Sequence, residues 1–174
     1  IELMGQKYGP ARAAVARNWQ SMLVQTQNKP EQQQILIVND FFARNLRYQT
    51  DILLWKQTDY WATPLETLGR GLGDCEDYAI AKYISLRALG VSDDKLRLIY
   101  VKAKIAGTNK TQAHMVLGYF ATPNAFIFFG VLHNIALSHM LHHRYDVARS
   151  YIDQIPPYFE TLDEKILVLK QGLD

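Results

Sequence analysis

The sequence predicts an α+β fold, and three observations carry that prediction. Apolar residues recur at helical spacing through the first half of the chain. From Lys95 onward the pattern changes to short apolar runs divided by turn residues, as strands require. Between the halves lies one long, almost wholly apolar helical run that opens at Gly73-Asp74-Cys75-Glu76-Asp77. At 174 residues the chain suits one domain, 1–174, large enough to bury a core without disulfides.

The first element is a helix over Pro10–Thr26, with Val15, Trp19 and Met22 on one face. Asn28-Lys29-Pro30-Glu31 breaks it and starts a second helix, in which Pro30 suits the first turn and Glu31 suits the dipole. That helix runs to about Asn45 and turns Ile35, Val38, Phe42 and Leu46 toward the core. Residues 47–60 read as irregular. Trp55, Tyr60 and Trp61 form an aromatic cluster ahead of Ala62-Thr63-Pro64, which opens a short helix through Leu68.

The helix from Asp74 to Leu89 has few polar positions, so most of its circumference should be buried, and Gly90 stops it. A helix of this kind lies centrally, packed on a sheet. Strands follow at 96–105, 112–120 and 125–132, with turns at 107–110 and 122–124. Residues 137–151 read as partly helical, Pro156-Pro157 breaks the chain, and 162–173 carries a weak helix or strand signal.

Bulk properties exclude some functions. A net charge of +2 with no Lys/Arg cluster does not suit a nucleic-acid partner. The longest apolar runs fall well short of the roughly 20 residues that span a bilayer. The chain starts at Ile1 rather than Met, as a mature or trimmed form would.

The chemistry centres on Cys75. As the only cysteine it cannot form a disulfide within the chain. It is approached through Gly69, Gly71 and Gly73, flanked by carboxylates and followed by a helix. The reactive form of a thiol is the thiolate, and a helix N-terminus favours that anion. His114, on the return strand of a hairpin, is the candidate base. A third group should hold the imidazole in its working tautomer, and the end of the next strand offers Asn134. His133 is a poorer partner for an imidazolium. Helix capping and the dipole account for only part of the Asp74, Glu76 and Asp77 cluster. Three carboxylates beside a thiolate oppose its formation unless a cation is bound, and an all-oxygen set suits calcium. His139, His142 and His143 share a helix face, but with no HExxH pattern they read as a solvated or interfacial face.

Three stretches, Asp59-Tyr60-Trp61-Ala62-Thr63-Pro64-Leu65-Glu66, Gly73–Tyr83 and Gln112-Ala113-His114-Met115-Val116-Leu117, closely resemble the bacterial transglutaminase-like cysteine proteinases. The likeness extends over about residues 8–125. It implies a papain/transglutaminase-like fold with N-terminal helices and a central Cys-bearing helix packed on an antiparallel sheet. It also implies Cys75 as nucleophile, His114 as base, and calcium held by Asp74 and Glu76, with Asp77 a third ligand. LapG-type members of that family are periplasmic. They cut the N-terminal region of a large surface adhesin beside a di-alanine, which releases the adhesin and disperses biofilm. An inner-membrane cyclic-di-GMP receptor holds them inactive. Trp55 and Trp61 are the candidate substrate or partner surface.

The family carries Asp-Asn where this chain has His133-Asn134. Three consequences stand open: Asn134 takes the third place, Asp146 does, or the copy is weakened. Asn134 is the expected one. Two further functions share these residues: a catalytically weakened binding module of the same fold, and a transglutaminase or amidase using the same thiol.

Overall fold

The computed structural model describes residues 1–104, 111–122 and 125–129, with side chains over 1–100 and 113–120. The chain divides into two compact units, Ile1–Asp93 and Asp94–Asp174.

The first unit is built on helices. They are α1 (Glu2–Tyr8), α2 (Pro10–Thr26), α3 (Glu31–Asn45), α4 (Asp51–Leu54), α5 (Pro64–Arg70) and α6 (Cys75–Ala88). Two short strands, β1 (Arg47–Tyr48) and β2 (Leu72–Gly73), pair in parallel. The 47–60 stretch therefore holds β1 and α4 where the sequence suggested only irregular chain. Neither element is long enough to show a periodic pattern.

The core forms where α2, α3, α5 and α6 meet, around Ala16, Val38, Phe42, Leu68, Ala81 and Leu86. The expected face of α3 is buried as Ile35, Val38 and Phe42, with Leu46 just past its end. In α2 the deepest residues are Ala13, Ala16 and Thr26, while Val15, Trp19 and Met22 are half-buried. Small residues let that helix approach closely. The Trp19 indole then reaches across to donate to Ser85 Oγ on α6 at 2.9 Å. Helix α6 ends in a Schellman turn. Gly90 has φ +92°, its N–H bonds Arg87 O, and the Val91 N–H bonds Leu86 O.

The second unit begins with an antiparallel sheet in the order β3 (Leu96–Lys104), β4 (Thr111–Thr122), β5 (Ala125–Phe129). Val101 faces His114 across the β3–β4 ladder, and Leu117 faces Phe129 across β4–β5. From His114 to Tyr119 every β4 residue is buried, so both faces of that strand are covered. The expected helix-then-strand order holds. Among the described residues no helix is long and apolar enough to cross a membrane.

Candidate active site

Cys75 is the first residue of α6, with Asp74 at the N-cap, and it is buried. The N–H groups of a first helical turn have no acceptor within the helix, so their field favours an anion at this position. The thiol donates to Glu76 Oε2 at 2.9 Å. Among the described residues, the first unit thus places its one thiol at a helix start ringed by acids.

Those acids come from more than α6. Asp51, Asp74 and Asp77 bring carboxylate oxygens within 4.8 Å of one another, and so do Asp51, Asp59 and Glu76. Of the acids that the sequence singles out, Asp74 and Asp77 share one of these groups and Glu76 stands in the other. Asp51 and Asp59 were not anticipated as site residues. Asp51 opens α4 behind Thr50, inside the stretch that reads as irregular, and a four-residue helix leaves no periodic trace. Asp59 heads one of the stretches that carry the family resemblance, and an acid beginning an aromatic run was the signal available.

Two oxygens in the cluster, Asp51 Oδ1 and Asp74 Oδ1, are buried without a hydrogen-bond partner among the described residues. Orphan carboxylate oxygens of this kind are costly unless something else satisfies them. Burial, then the neighbouring Glu76, pushes the Asp74 carboxyl up to about 8. Burial likewise pushes Asp77 up to about 7 and raises Asp51. For Glu76 burial works upward too, but hydrogen bonds from Cys75 and Asp74 outweigh it and hold the group below its ordinary value. The arrangement has the chemistry of a hard-cation site: oxygen donors only, clustered, partly unsatisfied, and unable to ionise together in the absence of positive charge.

Asp77 has a second task. Its Oδ1 accepts from the Ala62 N–H at 2.9 Å and its Oδ2 from the Asp74 N–H at 3.3 Å. This ties the segment before α5 to the start of α6. Of the two aromatic candidates, Trp61 is 50% exposed. Trp55 is half-buried, with its ring 4.3 Å from the Tyr60 ring and the Arg70 guanidinium 4.0 Å away. Trp61 is thus available as a surface, while Trp55 is mostly packing.

His114 lies on β4 in the second unit and is buried. Asn134, with the alternatives His133 and Asp146, lies outside the described residues, as do His139, His142, His143 and everything expected after Phe129.

Comparison with known proteins agrees with this picture. The sequence profile of the bacterial transglutaminase-like cysteine proteinases (BTLCP) matches residues 10–151. The fold is similar to that of Legionella pneumophila LapG, at 35% identity and a TM-score of 0.64, over 76% of this chain and 71% of that one. An EGTA-treated LapG structure from the same organism matches at 35% identity and the same TM-score, over 76% and 69%. A calcium-bound one matches at 34% identity and TM-score 0.64, over 76% and 71%. No curated protein gives a significant match. With four-fifths of its length inside the family profile, this chain belongs to the bacterial transglutaminase-like cysteine proteinases and is a cysteine protease of the LapG type.

Proposed function

We propose that the chain is a calcium-dependent endopeptidase in which Cys75 is the nucleophile, His114 the general base and Asn134 the group that orients the imidazole. The observation that carries the calcium part is the pair of orphan carboxylate oxygens, on Asp51 and Asp74, beside a thiol at a helix start. Asp74 and Glu76 would hold the ion, with Asp51, Asp59 and Asp77 completing the set. Its positive charge offsets the carboxylates that otherwise disfavour a thiolate next to them. That calcium-bound and EGTA-treated forms of the similar LapG both exist supports this reading.

The chemistry then follows from the residue types. His114 takes the Cys75 proton, and the thiolate attacks the scissile carbonyl to form a tetrahedral adduct. The imidazolium returns the proton to the leaving amine, which leaves a thioester on Cys75. Water, activated by the same imidazole, hydrolyses the thioester and restores the thiol. Likeness to LapG-type proteases supports a periplasmic site of action. It supports as substrate the N-terminal region of a large surface adhesin, cut beside a di-alanine. It also supports control by an inner-membrane cyclic-di-GMP receptor that sequesters the protease, with Trp61 on the docking surface.

The test is incubation with a di-alanine-containing adhesin fragment, in calcium and then in EGTA. Cleavage in calcium that EGTA stops, and that Cys75→Ala and His114→Ala abolish, is the expected result. Binding without cleavage by the calcium-loaded wild type would replace this reading with a binding module. Amine incorporation into glutamine without peptide cleavage would replace it with a transglutaminase.

A further inference from the structure

The three glycines that precede Cys75 are each occupied by a different neighbour. A Cβ on Gly69 would lie 2.4 Å from the Tyr8 ring, and one on Gly73 would lie 2.8 Å from the Asp77 carboxylate. One on Gly71 would lie 2.6 Å from the Arg12 guanidinium, and Gly71 has φ +67°, so only glycine sits there without strain. The middle neighbour is the informative one. Arg12, on α2, donates from Nε to Leu68 O at 2.7 Å and from its terminal nitrogen to the same oxygen. That oxygen belongs to the last turn of α5, where carbonyls have no acceptor role within the helix. Burial lowers the Arg12 pKa, and nearby Arg47 lowers it further. A partly buried cation thus sits beside another cation and spends two donors on one backbone carbonyl. Among the described residues it makes no ion pair.

What Arg12 holds leads straight to the thiol. After Leu68 the chain turns at Gly71, whose carbonyl accepts from the Arg47 N–H at 3.1 Å. Gly73 O accepts from the Gln49 N–H at 2.9 Å. The next residue is Asp74, the cap of α6, and then Cys75. The path from Leu68 to Cys75 is therefore pinned at its far end by Arg12 and along its middle by β1.

We propose that Arg12 is a positioning residue for Cys75. It fixes the end of α5 and the Gly71 turn, and through them the placement of the α6 N-terminus from which the thiol reacts. This rests on Cys75 being the nucleophile. Misplacing a reacting group by about 1 Å costs up to about a hundredfold in rate.

The test uses the full chain with saturating calcium, in wild type and in Arg12→Met and Arg12→Lys variants. Iodoacetamide alkylation of Cys75 at one pH near neutral is measured alongside kcat and KM on the di-alanine fragment, with circular dichroism and Tm as folding controls. Arg12→Met, which keeps an unbranched stem but loses the donors, should lower kcat and the alkylation rate roughly tenfold or more with KM little changed. Arg12→Lys, able to donate to Leu68 O, should recover part of both. It also serves if the Met variant does not fold. Folded variants that match wild type in alkylation and kcat, or that change only Tm, would overturn the proposal. A wild-type thiol that alkylates slowly, or a Cys75→Ala protein that still cleaves, would instead strike the nucleophile assignment.

Discussion

Helices α5 and α6 begin with the same device and put it to opposite uses. In α5 the N-cap is Thr63, Pro64 follows, and Glu66 stands at the third helical position. In α6 the N-cap is Asp74, Cys75 follows, and Asp77 stands at the third. The α5 box is closed. Thr63 Oγ1 accepts from the Glu66 N–H at 3.3 Å, and Glu66 Oε2 accepts from the Thr63 N–H at 3.0 Å and its hydroxyl at 2.9 Å. Burial acts to raise Glu66, but these bonds prevail and hold it below its ordinary value. The α6 box is also formed, with the Asp74 side chain accepting from the Asp77 N–H and Asp77 Oδ2 from the Asp74 N–H at 3.3 Å, but its acids stay unbalanced. Asp74 Oδ1 has no partner among the described residues, and burial drives Asp74 and Asp77 up toward neutrality. Pro64 has no N–H to offer, whereas Cys75 puts a thiol at the equivalent place. One helix start is finished for stability, and the other holds unbalanced charge that a cation could complete.

The largest effect should come from removing that charge. Asp74→Asn with Glu76→Gln is expected to abolish the calcium-induced rise in Tm and to cut cleavage by roughly a hundredfold or more, the upper range known for disturbed metal shells. The wild-type response should also depend on pH in a defined direction. Asp74 and Asp77 have folded values of about 8 and about 7, above the ordinary 3.8. Between those limits the metal-free fold binds more protons than the unfolded chain, so its stability falls as pH rises from about 4 to 8. Calcium must displace those protons, so its stabilising effect should be greater at pH 8 than at pH 5. Calorimetry that found equal calcium stabilisation at both would sever the link between the orphan carboxylates and the ion.

A smaller effect lies two turns further along α6. Lys82 is 2% exposed, its Nζ has no hydrogen-bond partner among the described residues, and it stands 5.8 Å from the centre of the Tyr78 ring. Burial pulls its pKa down to about 7. Here the unfolded chain binds more protons between about pH 7 and 10.5, so stability should rise with pH across that window. Lys82→Met should flatten that slope in chemical denaturation and raise stability at pH 7 by about 1 kcal/mol or more, since each pKa unit corresponds to about 1.4 kcal/mol. A variant less stable than wild type at pH 7 would mean that the ammonium has a favourable partner. Helix α5 carries no comparable buried cation, which keeps the contrast between the two helices intact.

Much of this was legible in the chain. Long periodic helices show themselves, so Pro10–Thr26 and the buried face of α3 were readable from spacing. Cys75, Asp74, Glu76 and Asp77 stand within four consecutive residues, and any local reading finds them. Asp51 could not be found in this way. It reaches the cluster only because β1 pairs with β2 and brings Arg47 beside Leu72 and Tyr48 beside Gly73, residues far apart in sequence. Arg12 is further still, 56 residues from the Leu68 carbonyl it holds. Spacing rules see neighbours on one helix or strand, and contacts made by tertiary packing escape them.

The smallest prediction isolates the start of α5. Thr63→Ala removes the oxygen that accepts from Glu66 N–H and the hydroxyl that donates to Glu66. Loss of an N-cap of this type costs about 1 kcal/mol. Glu66 would keep the Thr63 N–H, now the backbone of alanine, and its bond from the Tyr60 hydroxyl at 3.1 Å. Ala62, one residue earlier, still donates to Asp77, so the tie between the two helix starts survives. Denaturation should therefore show a loss of about that size, with calcium affinity and kcat unchanged. A Thr63→Ala protein that bound calcium more weakly would show that strain at one start is transmitted through the Ala62–Asp77 bond to the other. The two boxes would then act as one unit, and the α5 cap would be supporting the acid-rich one at α6.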